Sequence, residues 1–102
     1  MTDTRPAAAA SATITTAEPA RIILRLCKHW GHKFAVSYDD TQGRVELSSA
    51  LLLMRVGEGQ LTFRIEAQPG ADIAVLQDVV ADHAQRMARG ETFTWHWQQA
   101  PA

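Results

Sequence analysis

An α+β fold, a curved antiparallel sheet of about five or six strands with two helices on one face, is what this 102-residue sequence predicts. Three observations carry that reading. Ile23, Leu26, Cys27 and Trp30 recur at three- and four-residue spacing, as do Ile73, Leu76, Val79, Val80 and Met87, which marks two amphipathic helices. Between them Leu61, Phe63 and Ile65 alternate with Thr62, Arg64 and Glu66, the period of a half-buried strand. Turn-forming residues at Asp39-Asp40-Thr41-Gln42-Gly43, Gly57-Glu58-Gly59 and Pro69-Gly70 separate the periodic stretches.

The elements follow in order. Residues 1–11, with Pro6 and a run of small side chains, are expected to be a disordered tail ahead of a single domain over residues 12–98. Thr13-Ile14-Thr15 suits a short first strand with Ile14 inward. Thr15 or Thr16 offers an N-cap to the first helix, Glu18 and Pro19 fit its first turn, and Gly31 suits a left-handed C-terminal cap. Phe34, Val36 and Tyr38 alternate, then Val45 and Leu47 after a turn. Ala50 to Val56 reads as a strand whose Leu51-Leu52-Leu53 triplet leaves the inward face open. Asp72 can cap a second helix running to about Arg89, with Gly90 ending it. Phe93, Trp95 and Trp97 then share one side of a last strand, and residues 99–102 are expected to fray. The resulting order is β-α-β-β-β-β-α-β.

Composition excludes more than it suggests. A net charge of −1 gives no global attraction to nucleic acid or to an anionic membrane. No apolar run approaches the roughly 20 residues that span a bilayer, and one cysteine forms no internal disulfide, so the expectation is a cytoplasmic protein. The sequence lacks a phosphate-binding glycine loop, a Gly-x-Ser-x-Gly elbow, a His-Glu-x-x-His pair and a Cys-x-x-Cys pair. Nothing in it supports an enzyme.

Candidate chemistry gathers in Cys27-Lys28-His29-Trp30-Gly31-His32-Lys33-Phe34 and at His83. On a helix, Cys27 and His29 point about 200° apart, so one metal does not easily take both, and Cys27 falls on the apolar stripe as a small core residue would. His29 and Lys28 sit where a helix C-terminus favours cations by roughly 0.3–1 kcal/mol. His32 joins Arg25 and His29 on one face if the helix runs past Gly31, and turns away if it does not. His83 interrupts the second apolar stripe. A buried imidazole there needs partners, from Tyr38, Asp39, Asp40 or the backbone, or it meets Cys27 or the His29 and His32 end of the first helix. A satisfied structural histidine and a metal, haem or proton-transfer role are both open. Arg21, Arg25, Lys28, His32 and Lys33 form a basic strip that suits a solvated face or an anionic ligand, with Arg25 and Lys28 as its contacts.

The Cys27–Phe34 stretch, Asp39-Asp40-Thr41 with Gly43-Arg44, Val80 with Asp82 and His83, and Phe93-Thr94-Trp95 together resemble the domain of unknown function 2218 family of small bacterial proteins. The resemblance covers roughly residues 12–98. It implies a stand-alone cytoplasmic domain, and a context of siderophore-interacting, flavin-dependent ferric reductases. Cys27, His29, Trp30, His32 and His83 match the family pattern. The function expected on that basis is a binding or accessory protein in iron or siderophore handling. His83, His32, Cys27 and His29 would hold iron, zinc or haem, and Arg25 and Lys28 would attract a small anionic ligand. The rival is a protein-interaction module without a small ligand, as a dimer or as the partner of a siderophore-interacting reductase. An enzyme built on a Cys27–His83 pair is a third class.

Overall fold

The computed structural model describes residues 8–101. The elements are β1 (Ala8–Thr15), α1 (Pro19–Trp30), β2 (Ala35–Tyr38), β3 (Gln42–Leu47), β4 (Ala50–Gly57), β5 (Gln60–Ala67), α2 (Ile73–Met87) and β6 (Gln98–Ala100). They form one antiparallel sheet in the order β2-β3-β4-β5-β1-β6, with the expected succession of elements. Both helices pack on the same face, α1 over β2, β3 and β4 and α2 over β1 and β5. Among the described residues, no helix is long and apolar enough to cross a membrane.

Register decides which side chains fill the core. Val45 lies opposite Leu52, and Leu52 opposite Ile65, so the open leucine triplet turns Leu52 inward together with Ala50 and Met54. From β5 come Leu61, Phe63 and Ile65, all buried. Gly43 faces them from β3. A Cβ there would lie 2.8 Å from Ile23 Cγ2 and 3.0 Å from Met54 Cε, so the missing side chain is what lets α1 lie down on the sheet.

Several boundaries differ from the expectation. β1 begins at Ala8, so residues 8–11 are strand rather than tail; residues 1–7 lie outside the described residues. Alanine's weak strand preference hid this segment. Its position, hydrogen-bonded between β5 and β6 with Ala10 opposite Ile65 and Ala12 opposite Phe63, supplies what propensity lacks. Gln99 and Ala100 likewise pair with Ala10 and Ala9 instead of fraying, Gln98 pairs with Ser11, and Ala102 lies outside the described residues.

The aromatic stretch before β6 joins no ladder, so the strand expected over Phe93 to Trp97 does not form there. Its backbone is held by α2 instead, because Gln85 Nε2 donates to Glu91 O at 2.7 Å and Gln85 Oε1 accepts from Phe93 N at 3.0 Å. The alternation still operates: Trp95 packs on Phe63 at 5.2 Å between ring centroids and stacks on Trp97 at 5.6 Å.

The helix ends are corrected too. α1 starts at Pro19 with Glu18 as the capping residue, and no side chain caps it. Thr16 Oγ1 accepts from Glu18 N at 3.2 Å and donates to Glu91 Oε1 at 2.7 Å, so this hydroxyl ties the C-terminal segment to the β1–α1 junction. Gly31 is right-handed, at φ −62° and ψ −17°. A Cβ at Gly31 would lie 2.8 Å from Cys27 O and 3.3 Å from Val36 Cγ2, so crowding against the end of α1 and against β2 explains the glycine without a left-handed cap. Asp72 caps α2 as expected, accepting from Ala74 N and Val75 N, but that helix ends at Met87, ahead of Gly90.

Candidate functional site

The residues singled out by sequence separate into an inner and an outer group. Cys27 is inner: it is 1 % exposed, and its sulfur faces the backbone of Gly43 beneath α1. Burial pushes its thiol up to about 11 from an ordinary 9.0, so the side chain behaves as a small apolar core residue rather than a nucleophile. Among the described residues no hydrogen bond joins Cys27 to His83, whose aromatic neighbours are His29 and Trp30 and whose Nδ1 lies against Val79 O.

The outer group is built where the last turn of α1 meets the middle of α2. Trp30 closes α1, and its carbonyl accepts from both Lys33 N at 2.9 Å and Phe34 N at 2.8 Å, which coils the chain tightly into β2. That coil sets Trp30, Lys33 and Phe34 side by side. Across from them, the His83 ring lies 5.1 Å from the Trp30 ring and 5.4 Å from the His29 ring. His32 lies exposed in the turn after α1, so the version of the sequence reading in which the helix continues past Gly31 does not hold.

His83 is half-buried, and Val79 beside it is 36 % exposed, so this edge of the expected apolar stripe faces outward. The buried seam of α2 is Val80 and Ala84. His83 Nδ1 lies 2.7 Å from Val79 O, the carbonyl one turn back. A carbonyl only accepts, so Nδ1 carries the proton, and in the neutral ring Nε2 is left as a lone-pair acceptor. Imidazoles that bind ligands or metals are commonly held this way, one nitrogen anchored and the other left available.

Around His83 runs a cleft of about 370 Å³, lined by His29, Trp30, Lys33, Phe34, Leu76 and Val79. That volume is near the lower bound of small-molecule sites, which run from about 300 Å³. Its lining is mainly apolar with a few polar groups, the usual composition of such sites. Leu47, Ser48 and Ser49 also line it, and sequence reasoning missed them. The β3–β4 turn that carries them is adjacent to α1 only through the tertiary fold.

The donor set does not suit a resident metal ion. Among the described residues, no three His, Cys, Asp or Glu side chains converge as a metal site would need, and His29 and His83 make only a pair. The basic strip is also partly committed. Arg25 Nη1 donates to Met87 O at 2.8 Å and so caps the last turn of α2, while Lys28 is exposed. Arg21 pairs with Glu18 at 3.8 Å.

Comparison with known proteins agrees with the fold. A family model described as "Uncharacterized protein conserved in bacteria (DUF2218)" matches residues 11–98. Among solved structures, the chain is similar to the NMR structure of PA4090 from Pseudomonas aeruginosa. The two share 33% identity at a TM-score of 0.70, over 89% of this chain and 95% of that one. Among curated proteins, none matches.

Proposed function

The chain belongs to the DUF2218 family of bacterial proteins, and on that footing we propose that it is a cytoplasmic binding protein whose α1–α2 cleft takes a compact, anionic, aromatic ligand of iron or siderophore handling. The observation that carries this reading is His83, anchored through Nδ1 to Val79 O with Nε2 left over, beside Trp30 and His29 at the mouth of an apolar cleft.

Two imidazoles are too few to hold a bare ion with the four protein ligands of a structural site or the three of a catalytic one. A metal would therefore arrive already chelated. A ferric catecholate is such a species: aromatic, anionic, and bristling with acceptor oxygens. Phe34 offers its rings apolar surface beside the nearly buried Trp30, Lys33 offers charge, and His83 donates to the oxygens through Nε2–H only as an imidazolium, since the neutral ring leaves that nitrogen an acceptor. Arg25 is not needed in this arrangement because it caps α2.

Titration of tag-free protein with a ferric catecholate, followed by tryptophan fluorescence and calorimetry, tests the reading. Saturable one-to-one binding is expected, weakened at least about tenfold in His83→Leu, since a hydrogen bond to a charged group is worth roughly 1.5–3 kcal/mol. Iron-free catechol and ferric ion alone serve as the controls. Unchanged affinity in His83→Leu, or no saturable binding, would overturn the proposal.

A further inference from the structure

Both helices, and the Trp95 ring stacked on Phe63, lie on one face of the sheet. Among the described residues no element covers the other face. Leu52 and Met54 of β4 are buried toward the helices, so Leu51 and Leu53 point the opposite way. Register extends that open face across the neighbouring strands as two rows. One row is Glu46, Leu51 and Glu66, flanked by Ala35 and Ala9. The next, about 7 Å along the strands, is Arg44, Leu53 and Arg64, flanked by Ser37 and Ser11. An acid–leucine–acid row thus lies beside a base–leucine–base row.

The charges are only partly satisfied within the chain. Arg64 Nε donates to Glu66 Oε2 at 2.8 Å. Arg44 Nη2 stands 3.9 Å from Glu46 Oε1, beyond hydrogen-bond reach, and both side chains are more than half exposed. The leucines keep part of their surface in water on a central strand, where the solvated face of an antiparallel sheet ordinarily places polar residues.

We propose that this open face is a self-association surface, on which a second copy of the chain packs its own open face. The two-fold axis lies between the two sheets, along the line that separates the acid row from the base row. Rotation about that line keeps each strand over its own counterpart and exchanges the rows. Arg44 then meets Glu46 of the second copy, Arg64 meets its Glu66, and Leu53 meets its Leu51. Every contact is made twice, with the leucines at the centre and a closed ring of four charges on either side.

Charge selects this axis over its alternatives. An axis along the base row would set Arg44 on Arg44 and Arg64 on Arg64, and one along the acid row would oppose the glutamates. An axis running along β4 would set Arg44 on Arg64 and Glu46 on Glu66. Like charges face each other in all three, which costs several kcal/mol. The chosen axis also keeps the strands of the two sheets aligned, as sheets stacked about 10 Å apart prefer. The strands from β2 across to β1 offer roughly 25 by 20 Å, about 1,000 Å² over both copies, the lower end of specific interfaces. The His83 cleft lies on the helix side and stays open in this dimer.

Sedimentation equilibrium over a protein concentration series tests the inference, with circular dichroism reporting the fold. The mass should rise from 11.2 kDa toward twice that value. Arg44→Glu and Glu46→Arg each set like charge on like at both ends of the interface, so each alone should weaken self-association at least about tenfold. Mixed one to one, the two variants set an acidic β3 against a basic β3 and should form a heterodimer that neither supports alone. A parent chain still monomeric at about 1 mM overturns the inference and leaves the face to solvent or to a different protein. So does a parent dimer that the single variants leave intact, or a mixture that stays monomeric.

Discussion

The two helices lie on the same sheet yet are held to it in opposite ways. α1 presses Ile22, Ile23, Leu26, Cys27 and Trp30 into the core, whereas the longer α2 buries only Val80 and Ala84. Ile73, Leu76 and Met87 of α2 pack on the core only partly buried, and polar contacts fasten its end: Arg25 from α1 donates to Met87 O, and Gln85 clamps the following segment. A helix docked by a narrow seam leaves one flank standing off from its neighbour, and here that flank carries Val79 and His83 and forms one wall of the cleft. The cleft is therefore shared: α1 brings Trp30 and His29 from a tightly packed helix, and α2 brings Leu76, Val79 and His83 from a loosely packed one.

The largest test of that division is a pair of truncations. Leu26→Ala removes a side chain with no exposure from the α1 interface and should cost about 2–5 kcal/mol. Val75→Ser changes a residue of α2 that is 55 % exposed and should stay within about 0.5 kcal/mol. Urea unfolding of both variants decides it. Comparable losses would mean that α2 is as much a part of the core as α1.

The contrast also explains which features were legible in the sequence. Leu26, Cys27 and Trp30 repeat with a clean helical period because their helix has one wide buried face. On α2, Val75 and Val79 add apolar residues outside the seam, while the seam uses the small Ala84. The period then located the helix but not its rotation, and His83 looked more deeply placed than it is. Cys27 and His29 point apart on α1, one toward Gly43 and the other toward His83. What no local pattern could supply was pairing. Ala8 to Ser11 resemble a tail because alanine carries no strand signal of its own, and the leucine triplet is ambiguous until Val45 and Ile65 lie on either side of Leu52. The cleft escaped for the same reason, because Ser48 and Ser49 reach it from a distant turn.

Cys27 sharpens the comparison by pH. Its folded pKa is raised to about 11 from 9.0, with desolvation as the cause. The unfolded thiol ionises first, so between pH 9 and 11 the unfolded chain has released a proton that the folded chain retains. Stability should be fully present below that window and fall as pH rises through it. Cys27→Ala should flatten the fall, at some cost in packing at every pH, and native Cys27 should alkylate slowly. Denaturation midpoints measured across the window check the slope. An unchanged slope in the variant would place the alkaline loss elsewhere.

The smallest expected effect belongs to the polar fastening beyond α2. Glu91 Oε1 accepts from Thr16 Oγ1 at 2.7 Å and Oε2 from Ala17 N at 3.1 Å, and these bonds hold the carboxyl below its ordinary value of 4.5. A carboxylate depressed in the folded state adds stability above its unfolded pKa and loses it as pH falls through the folded one, so this contact weakens only in acid. Glu91→Gln keeps one acceptor but no charge. It should lower stability slightly near neutral pH and make the acid limb of the denaturation profile shallower. Asp39 is depressed as well, through Thr41 and Gln42, and serves as the internal control because it sits on the β2–β3 turn, far in the chain from α2. If Asp39→Asn flattens the acid limb and Glu91→Gln does not, the segment after α2 is held by Gln85 and its aromatic stack, and the polar fastening reduces to that one side chain.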